Sequence, residues 1–159
     1  MNELTVERTY RATVDEVWEL LTSPKGIEAW WGPDGFRVEV TALELRPGGY
    51  LDWAMIADFP EMVDLMKQSG MKTRTTHRHT FTEVTPKTAL AWSSVADFIP
   101  GVKPYPTQAR LELRPAGAEV KVTVTLQRMH DELWTGRQHQ GWQMQLSKLD
   151  QLITRRRQS

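Results

Sequence analysis

Trp142, Leu146, Leu149 and Ile153 recur at spacings of four, three and four residues, with Leu152 beside them. That rhythm draws one apolar stripe along a helix of 3.6-residue period, and such a stripe must be buried. Asp131 and Glu132 stand where a helix N-terminus favours negative charge, and Arg155, Arg156 and Arg157 where its C-terminus favours positive charge. A helix over 131–157 runs roughly 40 Å at 1.5 Å per residue, enough to cross a whole small domain. The preceding chain therefore has to supply the surface that this helix crosses.

That chain is rich in strand signals. Residues 5–13 alternate polar and apolar and read as a strand, followed by a capping box in which Thr13 precedes Glu16 by three residues. Val14, Val17, Trp18 and Leu21 continue as a short amphipathic helix, and Ser23-Pro24 starts a second one that ends near Gly32-Pro33, after Trp30 and Trp31. Residues 36–45 read as a strand. In Arg46-Pro47-Gly48-Gly49 proline presets the first central turn position and Gly48 takes a positive φ at the second. The next strand turns Leu51, Trp53 and Met55 to one face. Residues 73–84 place His77, His79 and Phe81 on one face, the strand after Pro86 places Leu90 and Trp92, and residues 98–106 read as a loop. Ala109, Leu111 and Leu113, then Val120, Val122, Val124 and Leu126, alternate cleanly and close the strand series.

The order is strand, two short helices, about six strands, long helix, which predicts an α+β fold: a curved antiparallel sheet of six or seven strands around the terminal helix. The 159 residues contain no repeat or linker, and one domain over 1–159 is expected. Twenty basic residues cancel twenty acidic ones, so no whole-molecule field draws in nucleic acid. No stretch reaches the ~20 apolar residues of a membrane helix, and Glu3, Glu7 and Arg8 break any signal-peptide-like run. Zero cysteines fit a reducing, cytoplasmic setting.

A rigid cylinder cannot fill a curved groove at both ends, so a cavity is expected near one end of the helix. Its walls are predicted to be Trp53, Met55, His77, His79, Phe81 and Trp92 from the sheet and Trp134, Gln138 and Trp142 from the helix. The same residues could equally pack as a solid core, since inward aromatics are commonly core. Residues 58–71, bracketed by Pro60 and Gly70, read as an inserted amphipathic helix or loop and as a lid carrying Phe59, Met62 and Met66. Phe98 and Tyr105 belong to a second segment expected to fold over the cavity. Trp30 and Trp31 read either as a plug where the second short helix meets the sheet or as a cavity entrance or homodimer contact.

His77 and His79, two apart on a strand, point the same way and are the candidate acid-base pair. No third ligand follows at metal-site spacing, so no metal is predicted. Asp52 and Asp58 are expected in solvent, and neither His130 nor His139 has a sequence partner suggesting catalysis. Gly48-Gly49 precedes a strand rather than a helix, so no phosphate-cradling loop and no cofactor is implied.

Several motifs together resemble a known family: Glu7-Arg8-Thr9-Tyr10 with Val17-Trp18, Trp30-Trp31-Gly32-Pro33, Arg46-Pro47-Gly48-Gly49, Glu83-Val84-Thr85-Pro86, and Gly141-Trp142 with Leu146 and Leu149. They are similar to bacterial proteins related to the C-terminal domain of the activator of the heat-shock protein 90 ATPase, within the START-like, or SRPBCC, helix-grip superfamily. The resemblance implies a pollen-allergen-like curved sheet gripping a C-terminal helix over a hydrophobic cavity. Members of that superfamily bind lipids, sterols, polyketides or plant hormones, and some cyclise or dehydrate polyketides. Residues 59–71 depart from it, since many relatives have a short Asp-Gly hairpin there, and the insertion is expected to border the cavity mouth. The leading expectation is a binder of a small hydrophobic or aromatic molecule. A cyclase-, dehydratase- or hydrolase-like enzyme using His77 or His79 is the alternative, and a chaperone cofactor, carried by the family name alone, ranks last.

Overall fold

The computed structural model describes residues 3–32, 35–97, 99 and 101–158, with the backbone alone for 157 and 158. Pro33 and Phe98, and the side chain of Arg157, lie outside the described residues. Seven strands form one antiparallel sheet in the order β1-β7-β6-β5-β4-β3-β2. They are β1 (Glu3–Tyr10), β2 (Phe36–Leu43), β3 (Tyr50–Ala57), β4 (Arg74–Thr85), β5 (Ala89–Ala96), β6 (Tyr105–Ala116) and β7 (Glu119–Gln127). Helices α1 (Val14–Thr22) and α2 (Pro24–Trp30) lead the chain from one edge strand, β1, to the other, β2. Helix α3 (Pro60–Gln68) is inserted between β3 and β4, and α4 (Glu132–Gln158) closes the chain. The first strand ends three residues sooner than its alternation suggested, because the Thr13 capping box has begun to turn the chain. Tyr105 and Pro106, expected in a loop, open β6 by pairing with Ala96 and Val95.

The local signals act as their chemistry requires. Thr13 Oγ1 accepts from the Glu16 amide at 3.1 Å while the Glu16 carboxylate accepts from the Thr13 amide at 3.3 Å, so α1 begins with both orphan donors satisfied. Ser23 Oγ caps α2 through Gly26 N at 3.0 Å. In the 46–49 turn Gly48 adopts φ +83°, and a Cβ at Gly49 would meet the Glu44 carbonyl oxygen at 2.2 Å, so both positions require glycine.

Helix α4 buries Trp142, Leu146, Leu149 and Ile153 against the inward faces of the sheet, with Leu152 half-buried beside them. Two sets of long-range hydrogen bonds fix where it lies. The Tyr10 hydroxyl donates to the Leu146 carbonyl at 2.8 Å, joining β1 to the middle of the helix, and burial raises the phenol's pKa. The Gly32 amide donates to Gln145 Oε1 at 2.9 Å, and Lys148 Nζ donates to the Gly32 carbonyl at 2.7 Å. The α2 exit is thereby clamped to α4. At the helix start, Asp131 Oδ1 accepts from Trp134 N at 2.8 Å, and the buried Thr135 hydroxyl accepts from Met129 N and donates to the Asp131 carbonyl. This cap sets the corner from which α4 departs.

Candidate functional site

Between the sheet and α4 lie two neighbouring spaces of very different size. The inner one is an aromatic chamber built from alternating positions of β3, β4 and β5, which turn Trp53, His79, Phe81 and Trp92 inward. Trp31, half-buried at the end of α2, enters this chamber and fills it. Its ring meets those of Trp30, Trp53, His79, Trp92 and Trp142 edge-on, at centroid distances of 5.2, 6.0, 5.7, 6.1 and 5.2 Å. Edge-to-face contacts of this kind exceed simple burial in strength by about 0.5–1.5 kcal/mol each. Some 20 Å³ remains behind the ring, lined by residues including Leu21, Ile27, Leu51 and Leu111, which is room for about one water.

His79 is wedged into this chamber. Its ring stacks on Trp92 at 5.0 Å with planes 7° apart, and its Nε2 accepts from Trp53 Nε1 at 3.3 Å. Acceptance at Nε2 leaves the proton on Nδ1 and fixes a neutral tautomer. Burial, with a smaller contribution from His77, lowers the pKa of His79 to about 3. His77 is half-buried, stacks on Trp53 at 4.5 Å and shares a 2.9 Å hydrogen bond with Thr75 Oγ1 through Nε2. Its pKa is also lowered, chiefly by desolvation and against the pull of Asp97. Both imidazoles are thus neutral at pH 7. Among the described residues no group of three or more His, Asp or Glu side chains could hold a metal ion.

The outer space is an open pocket of about 370 Å³ under the ends of β5 and β6 and the first half of α4. Ser94, Val95 and Ala96 of β5 and Thr107 of β6 form one wall, with Met129 at the corner before α4. Trp134, Arg137, Gln138, Gly141, Trp142 and Gln145 form the other. The pocket is open because its walls are small: Ser94, Ala96, Thr107 and Gly141 stand where the inner chamber has Trp53, Phe81 and Trp92. A Cβ on Gly141 would find no heavy atom within 4 Å. Trp142 is shared, since it lines the pocket on one side and touches Trp31 on the other. At the outer rim the Arg137 guanidinium lies 4.7 Å over the Trp134 ring, within cation-π range.

The residues named from sequence therefore divide. Trp134, Gln138 and Trp142 line the open pocket. Trp53, His79, Phe81 and Trp92 lie around Trp31, and Met55 and His77 lie half-buried toward the end of the same sheet face. In α3, Met66 is buried and Met62 lies close to Gly35, while Phe59, just before the helix, is 56% exposed; none of the three lines the open pocket. Asp52 is not simply solvated, because Arg78 donates to both its oxygens at 2.6 and 2.8 Å and holds its pKa down. Tyr105 and His130 are joined at the rim, with Tyr105 Oη 2.9 Å from His130 Nδ1 and Asp131 Oδ2 3.4 Å from His130 Nε2. Sequence reasoning missed that pairing, as well as Ser94, Thr107 and Gln145. Strand parity with Trp92 and Leu111, and the three-residue step from Trp142 to Gln145, point to these last three.

Comparisons with known proteins agree with this architecture. The sequence profile of the family described as activator of Hsp90 ATPase homolog 1-like protein matches residues 11–154. A crystal structure of a Chromobacterium violaceum protein superposes with a TM-score of 0.76 at 19% identity, covering 96% of each chain. One from Nitrosomonas europaea gives 0.75 at 22% identity, covering 99% of this chain and 97% of that one. A protein of Silicibacter pomeroyi, itself described as AHSA1, gives 0.73 at 17% identity over 96% and 97%. At these identities the likeness is one of fold. No curated protein matches the sequence significantly.

Proposed function

The chain belongs to the activator of Hsp90 ATPase homolog 1-like family, and on that premise we propose that it is a binding protein for a small apolar or aromatic molecule, held between the sheet and the first half of α4. The observation that carries this reading is the 370 Å³ pocket, which lies at the small end of the ligand-site range and combines aromatic and apolar walls with a few polar groups. Trp134, Gln138 and Trp142 are its contact residues from α4. Trp53, His79, Phe81 and Trp92 act from behind, by holding Trp31 and through it the Trp142 face of the pocket.

An enzyme using His79 is the weaker reading on geometric grounds. Its Nε2 is already bonded to Trp53, its pKa lies near 3, and the space beside it takes one water rather than a substrate. His77 is more accessible, yet it too is held neutral and bonded to Thr75.

Native mass spectrometry of protein purified from its own host tests the proposal, with a Trp142→Ala, Gly141→Leu double variant as comparison. A co-purifying molecule that the variant loses is the expected result. Wild-type protein that neither carries a small molecule nor takes up a naphthalene-sized probe would sink the reading.

A further inference from the structure

The open pocket carries a charge that its own walls do not answer. Of the side chains that line it, Arg137 alone is ionisable, and neither wall supplies a carboxylate. Its neighbours three and four residues away on α4 are Leu133, Trp134, Gln140 and Gly141, so no acidic group stands one turn from it. The acidic side chains just before them are engaged elsewhere, Glu132 with Arg128 at 3.7 Å and Asp131 with His130 at 3.4 Å. Across the pocket, Asp97 follows the wall residue Ala96, but its charge acts on His77. Arg37, Arg46, Arg74, Arg78, Arg110 and Arg128 each pair with a carboxylate, whereas Arg137 lies over the Trp134 ring. That contact holds the guanidinium at the mouth without neutralising it. The other polar groups cannot take its place as an anchor. The Ser94 and Thr107 hydroxyls bond each other at 3.1 Å, Gln145 Oε1 accepts from the Gly32 amide, and Gln138 Oε1, though unpaired, is buried within the wall.

We propose that the pocket takes a flat aromatic carboxylic acid, with its ring beside Trp142 over the gap left by Gly141 and its carboxylate at the mouth on Arg137. This inference rests on the binding role proposed above and adds the ligand's charge. Arg137 and Gly141 are one turn apart on the same face of α4, about 6 Å along its axis, so a single small molecule reaches both. The apolar walls attract any ring of the right size. Arg137 supplies the choice among rings, because its fork of N–H donors matches the two oxygens of a carboxylate and repels a cation. Its exposed position lets the carboxylate keep part of its hydration, which spares the ligand the full cost of burying a charge. One guanidinium balances one negative charge, which favours a monocarboxylate over a phosphate dianion.

The pair 2-naphthoate and 2-naphthamide separates charge from shape, since the two are nearly isosteric and only the first is an anion at pH 7. Titrations of the whole chain at low salt would follow the indole N–H signals of Trp134 and Trp142 by two-dimensional NMR. The expected result is that both probes move those signals and that 2-naphthoate binds about fivefold more tightly, the ratio for one partly exposed ion pair. Added salt should shrink that ratio. In Arg137→Gln, a substitution at an exposed position, it falls to one or below, and Arg137→Lys restores part of it. Equal affinities in the wild type, or tighter binding of the amide, would overturn the acid inference while leaving the pocket as a binding site. A preference for 2-naphthoate that survives Arg137→Gln would overturn it too, by placing the anion elsewhere. Signals that move with neither probe would overturn the binding role itself, and this inference with it.

Discussion

The inner chamber and the outer pocket share a wall, Trp142, and the same pair of surfaces, yet one is packed shut and the other open. The difference lies in one residue that does not come from either surface. Trp31 arrives from the α2 exit and occupies the chamber, whereas no side chain among the described residues fills the space under β5 and β6, where Ser94, Ala96, Thr107 and Gly141 keep the walls apart. A helix-grip fold thus sets where a hollow can form, and single side chains decide whether it stays one.

The hardest blow to this contrast is Trp31→Ala. It removes the ring on which five others close, and we expect a loss of about 3–5 kcal/mol in denaturant unfolding, the usual cost of truncating a packed aromatic. The vacated chamber should then admit a naphthalene-sized probe beside His79, merging two spaces into one. A loss below about 1 kcal/mol would mean that Trp31 is not a packing element and that the two regions do not differ as described.

Acid sharpens the comparison next. His79 is held neutral in the chamber, with its pKa lowered from 6.5 to about 3, whereas in the unfolded chain it protonates near 6.5. The unfolded state therefore binds the extra proton. Stability is complete above about pH 6.5 and declines as pH falls toward 3, with a slope approaching 1.4 kcal/mol per pH unit for this one group. The lowered carboxylates Glu7, Glu39, Asp52 and Glu83 act in the same direction, but from unfolded values of 4.5 or below, so the interval from pH 6.5 to 5 isolates the imidazoles. Urea melts should show a decline in that interval that His79→Phe reduces. No decline in the wild type would mean that the chamber admits water and charge.

The smallest effect belongs to the outer pocket. Gly141→Ala gives α4 a better helix former and should add up to about 1 kcal/mol, since its methyl meets nothing within 4 Å. The same methyl projects into the pocket and should weaken binding of a two-ring probe. Gly136→Ala, a glycine that does not line the pocket, should stabilise without that penalty. Equal binding by both variants would place the ligand elsewhere.

The architecture was legible because it rests on periodicities that survive in one dimension. Trp142, Leu146, Leu149 and Ile153 spell out the buried stripe of α4, the Thr13–Glu16 box marks the start of α1, and the β7 valines alternate without a break. Parity also brought out the inward set of Trp53, His79, Phe81 and Trp92. It could not reveal that Trp31 would seat itself among them, because that depends on the angle at which α2 ends and on Gln145 and Lys148 grasping Gly32 from the far end of the chain. The polar rim was hidden for a similar reason. Tyr105 and His130 lie 25 residues apart and meet only once β6 and the α4 corner are placed. Gln138 was legible as a wall residue, but its unpaired oxygen is a property of packing alone.

The clamp on Gly32 also has a bearing on biosynthesis. Its two partners are made 113 and 116 residues later, so every strand of the sheet has been translated before the segment that can lock Trp31 into place. During that interval an emerging chain holds a ring of tryptophans with no cover. Such a species is the kind that self-associates, and a contact between segments more than a hundred residues apart is the one that retires it.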